Sequence, residues 1–149
     1  MIRHPDWFDR LQTYLDTVAE KPFLWGEHDC ALFAASAVQR MTGVDPAEAF
    51  RDLYDSELGA RKALREVGQG TLLKTAKHWF GAPKSVYFAK RGDLVMRDRT
   101  TLGICVGPFS WFVGEEHGAA GLVVIPTNAC RYAFTVPFEA LASEADTDV

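Results

Sequence analysis

The chain has 149 residues, 48% hydrophobic and 24% charged, the make-up of an ordinary globular protein that buries a core without disulfides or a structural metal. Its 16 basic and 20 acidic residues give a net charge of −4, so it lacks the positive field that gathers nucleic acid. No apolar run approaches the roughly 20 residues that span a bilayer, and Met1-Ile2-Arg3-His4-Pro5-Asp6 lacks the layout of a secretory signal. One domain is expected over residues 1–142, followed by a solvated acidic tail over 143–149.

The first half reads as helices. Asp6 is placed to cap a helix that carries Trp7, Phe8, Leu11, Leu15 and Val18 at helical spacing. Pro22 to Gly26 breaks it and leads through His28-Asp29 into a second helix that starts at Cys30. Asp29 can cap that helix, Gly43 suits its left-handed stop, and its small and apolar residues run nearly all the way round, so it should be buried on most sides. Asp45-Pro46 opens a predicted helix through Phe50, Leu53 and Tyr54. Ser56 starts another, ended by Gly68-Gln69-Gly70, and Thr71 to Phe80 makes the last, stopped by Gly81.

After Pro83 the pattern turns to short β-rich runs separated by Gly, Pro, Asp or Asn. The predicted strands are Val86–Ala89, Leu94–Met96, Leu102–Val106, Trp111–Val113, Leu122–Ile125 and Arg131–Val136. Their close spacing leaves no room for crossover helices, so they pair antiparallel. Helices first and strands second give an α+β fold, with the Cys-bearing helix packed on a small antiparallel sheet.

A cysteine in the first turn of a buried helix is the most chemically suggestive feature. The helix dipole favours a thiolate there, and Phe23 and Trp25 are placed to wall a cleft. A neighbouring Asp29 raises the thiol pKa unless its charge is spent on the helix N–H groups. The bland reading is a small buried hydrophobe. Cys30, Cys105 and Cys130 are too widely spaced for a compact metal site and read as reduced thiols, with a Cys30–Cys130 bridge as the alternative. No cofactor or metal motif is present.

Phe23-Leu24-Trp25-Gly26-Glu27-His28-Asp29-Cys30-Ala31-Leu32-Phe33 resembles the nucleophile segment of the NlpC/P60 cysteine peptidases, which have a papain-like fold. A second block, Lys90-Arg91-Gly92-Asp93-Leu94-Val95 followed by Leu102-Gly103-Ile104-Cys105-Val106-Gly107, is similar to that family's Gly-Asp-Leu-Val strand and the His-Val-Gly-Ile-Tyr-Ile-Gly strand after it. Together the blocks cover about a fifth of the chain, and within the superfamily it looks most like small proteins encoded among phage and prophage tail genes. The resemblance implies a Cys30 nucleophile, a base at Thr101 and an orienting residue near Val113 or Gly114. Neither a threonine nor the last two can take a proton near neutral pH.

Other histidines are the remaining candidates. His28, two residues before Cys30, heads them; His117 lies in the Gly114–Gly118 turn; His78 belongs to a helix and His4 precedes the first one. Arg91-Gly92-Asp93 spells an adhesion tripeptide but reads better as a turn, and the Glu115-Glu116 pair should diverge into water. Phe109, Trp111 and Phe112 cannot share one face of a strand, so they read either as a protein contact, with at least one at the surface, or as a turn whose rings fold back on the small sheet. Three functions follow. The first is a phage tail-tip component with a degenerate hydrolase fold, for tail assembly or cell-wall contact. It would be made without a signal peptide, and its partners would be other tail-tip proteins and a peptidoglycan peptide. The second is an active cysteine peptidase or amidase that cuts peptidoglycan during genome delivery. The third is an unrelated cytoplasmic α+β protein.

Overall fold

A computed structural model describes residues 1–114 and 121–138. Four helices, α1 (Trp7–Val18), α2 (Cys30–Thr42), α3 (Glu57–Glu66) and α4 (Leu72–Phe80), precede five strands. The strands are β1 (Leu94–Asp98), β2 (Thr101–Cys105), β3 (Phe109–Val113), β4 (Leu122–Pro126) and β5 (Tyr132–Phe134). They form one antiparallel sheet in the order β4-β3-β2-β1-β5, so the fold is α+β.

Strand alternation sorts the side chains onto two faces. Leu94, Met96, Leu102, Ile104, Val113 and Phe134 face the helices and join Leu15, Phe33, Val38 and Met41 in the main core. Val95, Cys105, Phe112 and Ala133 form a smaller core on the opposite face with Cys130, Val86 and Ile125. At Gly103 on β2 a Cβ would collide with the Phe112 ring, so this ring packs against bare backbone.

Helix α2 is the keystone of the main core. Its Ala34, Ala37, Val38 and Met41 are sealed between α1 and the sheet, and the small residues let the backbones approach. Gly43 ends it in the left-handed conformation (φ 80°) and donates its N–H to the Gln39 carbonyl. Ser56 and Thr71 cap α3 and α4 by accepting from Gly59 and Lys74 N–H.

Three local readings are corrected. Asp6 does not cap α1, because its carboxylate is taken by Arg10 one turn on. Asp45–Tyr54 is not a helix beyond a 3-10 turn at Glu48–Phe50: the Asp45 carboxylate accepts from Ala47 N–H and from the Arg51 guanidinium, and Asp52 turns to φ 61°. Val86–Phe88 is a 3-10 turn, not a strand, because the Ser85 hydroxyl accepts from Tyr87 N–H and only Lys84 bridges to the sheet, at Ala133. The acidic stretch 143–149, the Glu115-Glu116 pair and His117 lie outside the described residues.

Candidate functional site

Asp29 sets up the start of α2. One carboxylate oxygen accepts from Leu32 N–H at 2.9 Å, which caps the helix. The other accepts from Gly26 N–H at 3.0 Å and from the Tyr54 hydroxyl at 2.6 Å. Gly26 has φ 82°, and a Cβ there would run into the Tyr54 carbonyl, so no other residue fits this turn. The Trp-Gly turn, the cap and the Tyr54 segment are thus one hydrogen-bonded unit. Burial and the adjoining Asp29 carboxylate drive the Tyr54 phenol above its ordinary range.

Cys30 follows, half-buried in the first turn of α2, and its sulfur faces the start of β2. The thiol donates to the Thr100 carbonyl at 3.7 Å. Desolvation pushes the thiol up to about 11; hydrogen bonds from Leu102 and Ala31 N–H oppose this, and the Asp29 and Asp98 charges add to it. The helix start that should favour a thiolate is therefore outweighed by desolvation together with the Asp29 and Asp98 charges. This sulfur is protonated at neutral pH.

Thr101 does not face the sulfur. It is on the alternate side of β2 from Leu102 and Ile104, which touch the helices, and it helps hold the Asp98 carboxyl below its usual range. Burial opposes that effect, and Thr100 contributes the larger hydrogen bonds. The cleft beside Cys30 is lined instead by Thr100 and Leu102. Val113 points into the main core, and Gly114 follows it.

His28 also turns away. Its ring is 2% exposed and lies edge-on to Phe33 at 5.9 Å, and its Nε2 is buried without a partner among the described residues. The cause is local: His28 and Leu24 exchange backbone hydrogen bonds, which tightens the loop and folds the ring inward beneath it. Desolvation, then the Lys21 charge, lower its pKa, while Asp29 pulls the other way. His4 packs near Gly43, at the far end of α2 from Cys30, and His78 is on α4 outside this cleft. None of the described histidines lines the Cys30 cleft.

The buried His28 carries a pH signature. The unfolded chain takes up a proton near pH 6.5, whereas the folded ring resists it until lower pH. Stability conferred by the neutral ring is therefore full above pH 6.5 and falls as pH drops below it. His28→Leu should flatten this fall. Urea unfolding at pH 7 and 5.5 is expected to show the wild type losing up to about 1 kcal/mol more than the variant, after allowance for solvent reaching the loop.

Burial bears on three other readings. A Cys30–Cys130 bridge is excluded, because Cys30 faces the helix side of the sheet and Cys130 belongs to the opposite core; all three cysteines are free. Asp93 of the Arg91-Gly92-Asp93 run is 1% exposed, so the tripeptide cannot be presented. Of the three aromatics, Phe109 is 51% exposed, Trp111 packs against the main core and Phe112 is buried on the other face. Of the three, Phe109 is thus the one most open to solvent.

Residues missed in the sequence complete the site. Tyr54 clamps Asp29, and residues of α2, α3, α4, β1 and β2 line a half-open cleft of about 850 Å³ that reaches from Trp25 and Cys30 to Trp79 and Tyr132. That is within the usual range for small-molecule sites. The signal that could have found it is the pair of amphipathic helices α3 and α4, which bury only Ala63, Leu73, Thr75 and Ala76. Among the described residues no three His, Cys, Asp or Glu side chains gather as metal ligands, and no helix is long and apolar enough to cross a membrane.

Compared with known proteins, the chain matches no curated sequence. The profile of a family described as a domain of unknown function, DUF6950, matches residues 2–136, which take in all four helices and all five strands. The chain belongs to the DUF6950 family.

Proposed function

We propose that the protein is a structural component of a phage tail tip, built on a degenerate NlpC/P60-like fold and used for tail assembly or cell-wall contact rather than hydrolysis. The observation that carries the non-catalytic half of this reading is the bare Cys30 sulfur. It has the helix-start position of a nucleophile, yet its neighbours are the Thr100 carbonyl and backbone N–H groups, with no imidazole in the cleft among the described residues. A cysteine nucleophile works through its thiolate, and a thiol raised to about 11 with no base beside it supplies almost none at neutral pH. The tail half rests on the two-block resemblance in the Trp25–Cys30 and Gly92–Gly107 segments. What remains of a hydrolase cleft is then a binding site.

The test has two arms. Purified protein incubated with peptidoglycan sacculi should release no more soluble peptide than Cys30→Ser, and it should sediment with intact virions. Release that disappears in Cys30→Ser would restore the hydrolase. A chain found only free, with no virion-bound fraction, would remove the tail assignment.

A further inference from the structure

The half-open cleft combines apolar walls with charged side chains. Its walls are apolar: Leu32 and Leu102 on the core side, Leu64 from α3, and Leu72 and Phe80 from α4. Its charged lining is mostly cationic. Arg65, Lys74, Lys77 and Arg99 all border it, and none has a carboxylate partner among the described residues. Arg61 also lines it but is held by Glu57 at 2.8 Å. The only other acid there, Asp29, is buried and spent on three hydrogen bonds.

This cluster stands against the charge of the whole molecule, which is −4. Arg65, Lys74, Lys77 and Arg99 are exposed at its rim, and positive groups gathered around an apolar cleft draw in anions and repel cations. The apolar walls exclude a small hydrophilic anion as the best occupant, since filling them with water gains nothing. Complementarity is met by a molecule with an apolar body and an anionic end. We infer that the cleft between α2, α3, α4 and the sheet edge binds a monomeric single-chain amphiphile with a carboxylate or phosphate head, its chain against Leu32, Leu64 and Leu72 and its head at the Arg65, Lys74, Lys77 and Arg99 rim. This deepens, and rests on, the reading of the cleft as a binding site; it does not depend on where the protein is assembled.

Titration calorimetry with dodecanoate and with dodecyltrimethylammonium, each below its micelle concentration, tests the charge rule on one apolar chain. Dodecanoate should bind at one per chain and at least tenfold more tightly. Lys74→Glu combined with Lys77→Glu, both at exposed helix positions, should leave the fold intact by circular dichroism and abolish that preference. Equal affinity for the two amphiphiles, unchanged dodecanoate binding in the double variant, or binding to phosphatidylglycerol vesicles without binding of free dodecanoate would each overturn the inference. A virion protein that shows no anion preference loses this inference alone. A chain absent from virions that binds dodecanoate with the stated preference keeps it and loses the tail assignment.

Discussion

Asp93→Ala is expected to destabilise the protein by about 3–5 kcal/mol, because it leaves a buried charge without its counter-ion. Arg3 and Asp93 are each sealed from solvent and meet at 3.0 Å, 90 residues apart in sequence. The second Asp93 oxygen accepts from Lys84 at 2.7 Å and Lys90 N–H at 2.9 Å, and the first also accepts from Val136 N–H. Arg3 spends its other N–H groups on the Val136 and Arg91 carbonyls and is sandwiched between the Trp7 and Phe138 rings, at 4.3 and 3.8 Å. Even with Asp93 present, desolvation lowers the Arg3 pKa to about 10. Removing the carboxylate unties the N-terminus, the start of β1 and the segment after β5 together. Thermal melting should fall by roughly 10 °C or more for a domain of this size. Arg61→Ala, which breaks only an exposed pair with Glu57, should shift it by about a degree or less.

Asp29→Ala should cost about 3 kcal/mol, the second-largest loss expected. A helix cap is worth about 0.5–2 kcal/mol, and hydrogen bonds to a charged acceptor about 1.5–3 each, though they do not add. All three partners, Leu32 N–H, Gly26 N–H and the Tyr54 hydroxyl, lose their acceptor at once. Asp29→Asn keeps an oxygen for the cap and should lose roughly half as much. Tyr54→Phe should lose less still, since it leaves the cap and the Gly26 bond in place. Equilibrium urea unfolding of the three variants would show this order; equal losses in all three would contradict the single-unit description of the turn.

What the sequence made legible was local chemistry. Asp29 before Cys30 and Gly43 after Thr42 mark both ends of α2, because a cap and a left-handed stop are each decided within four residues. The strands from Leu94 onward were readable from their alternation and turn residues. What failed was competition between equally local options: Asp6 had Arg10 one turn away, and Asp45 had both Ala47 and Arg51. Val86–Phe88 has the composition of a strand, but the Ser85 hydroxyl captures its backbone first. The Arg3–Asp93 pair and the Tyr54 clamp were invisible, since nothing in spacing links residues 90 or 25 positions apart. At the site, the register of β2 decided the outcome. A strand exposes alternate residues to each face, so placing the base position at Thr101 put it on the side away from α2, while its neighbours Thr100 and Leu102 line the cleft.

The pH profile of Cys30 alkylation in the native protein, followed by peptide mapping with iodoacetamide, is the most direct test of the central claim that this thiol is held protonated. The rate should rise with thiolate through a single ionisation near pH 11 and, at pH 7.5, be roughly 100-fold below that of an unperturbed thiol. A plateau or shoulder between pH 6 and 8 at Cys30 would mean that a base or positive charge faces the sulfur, and it would contradict the account.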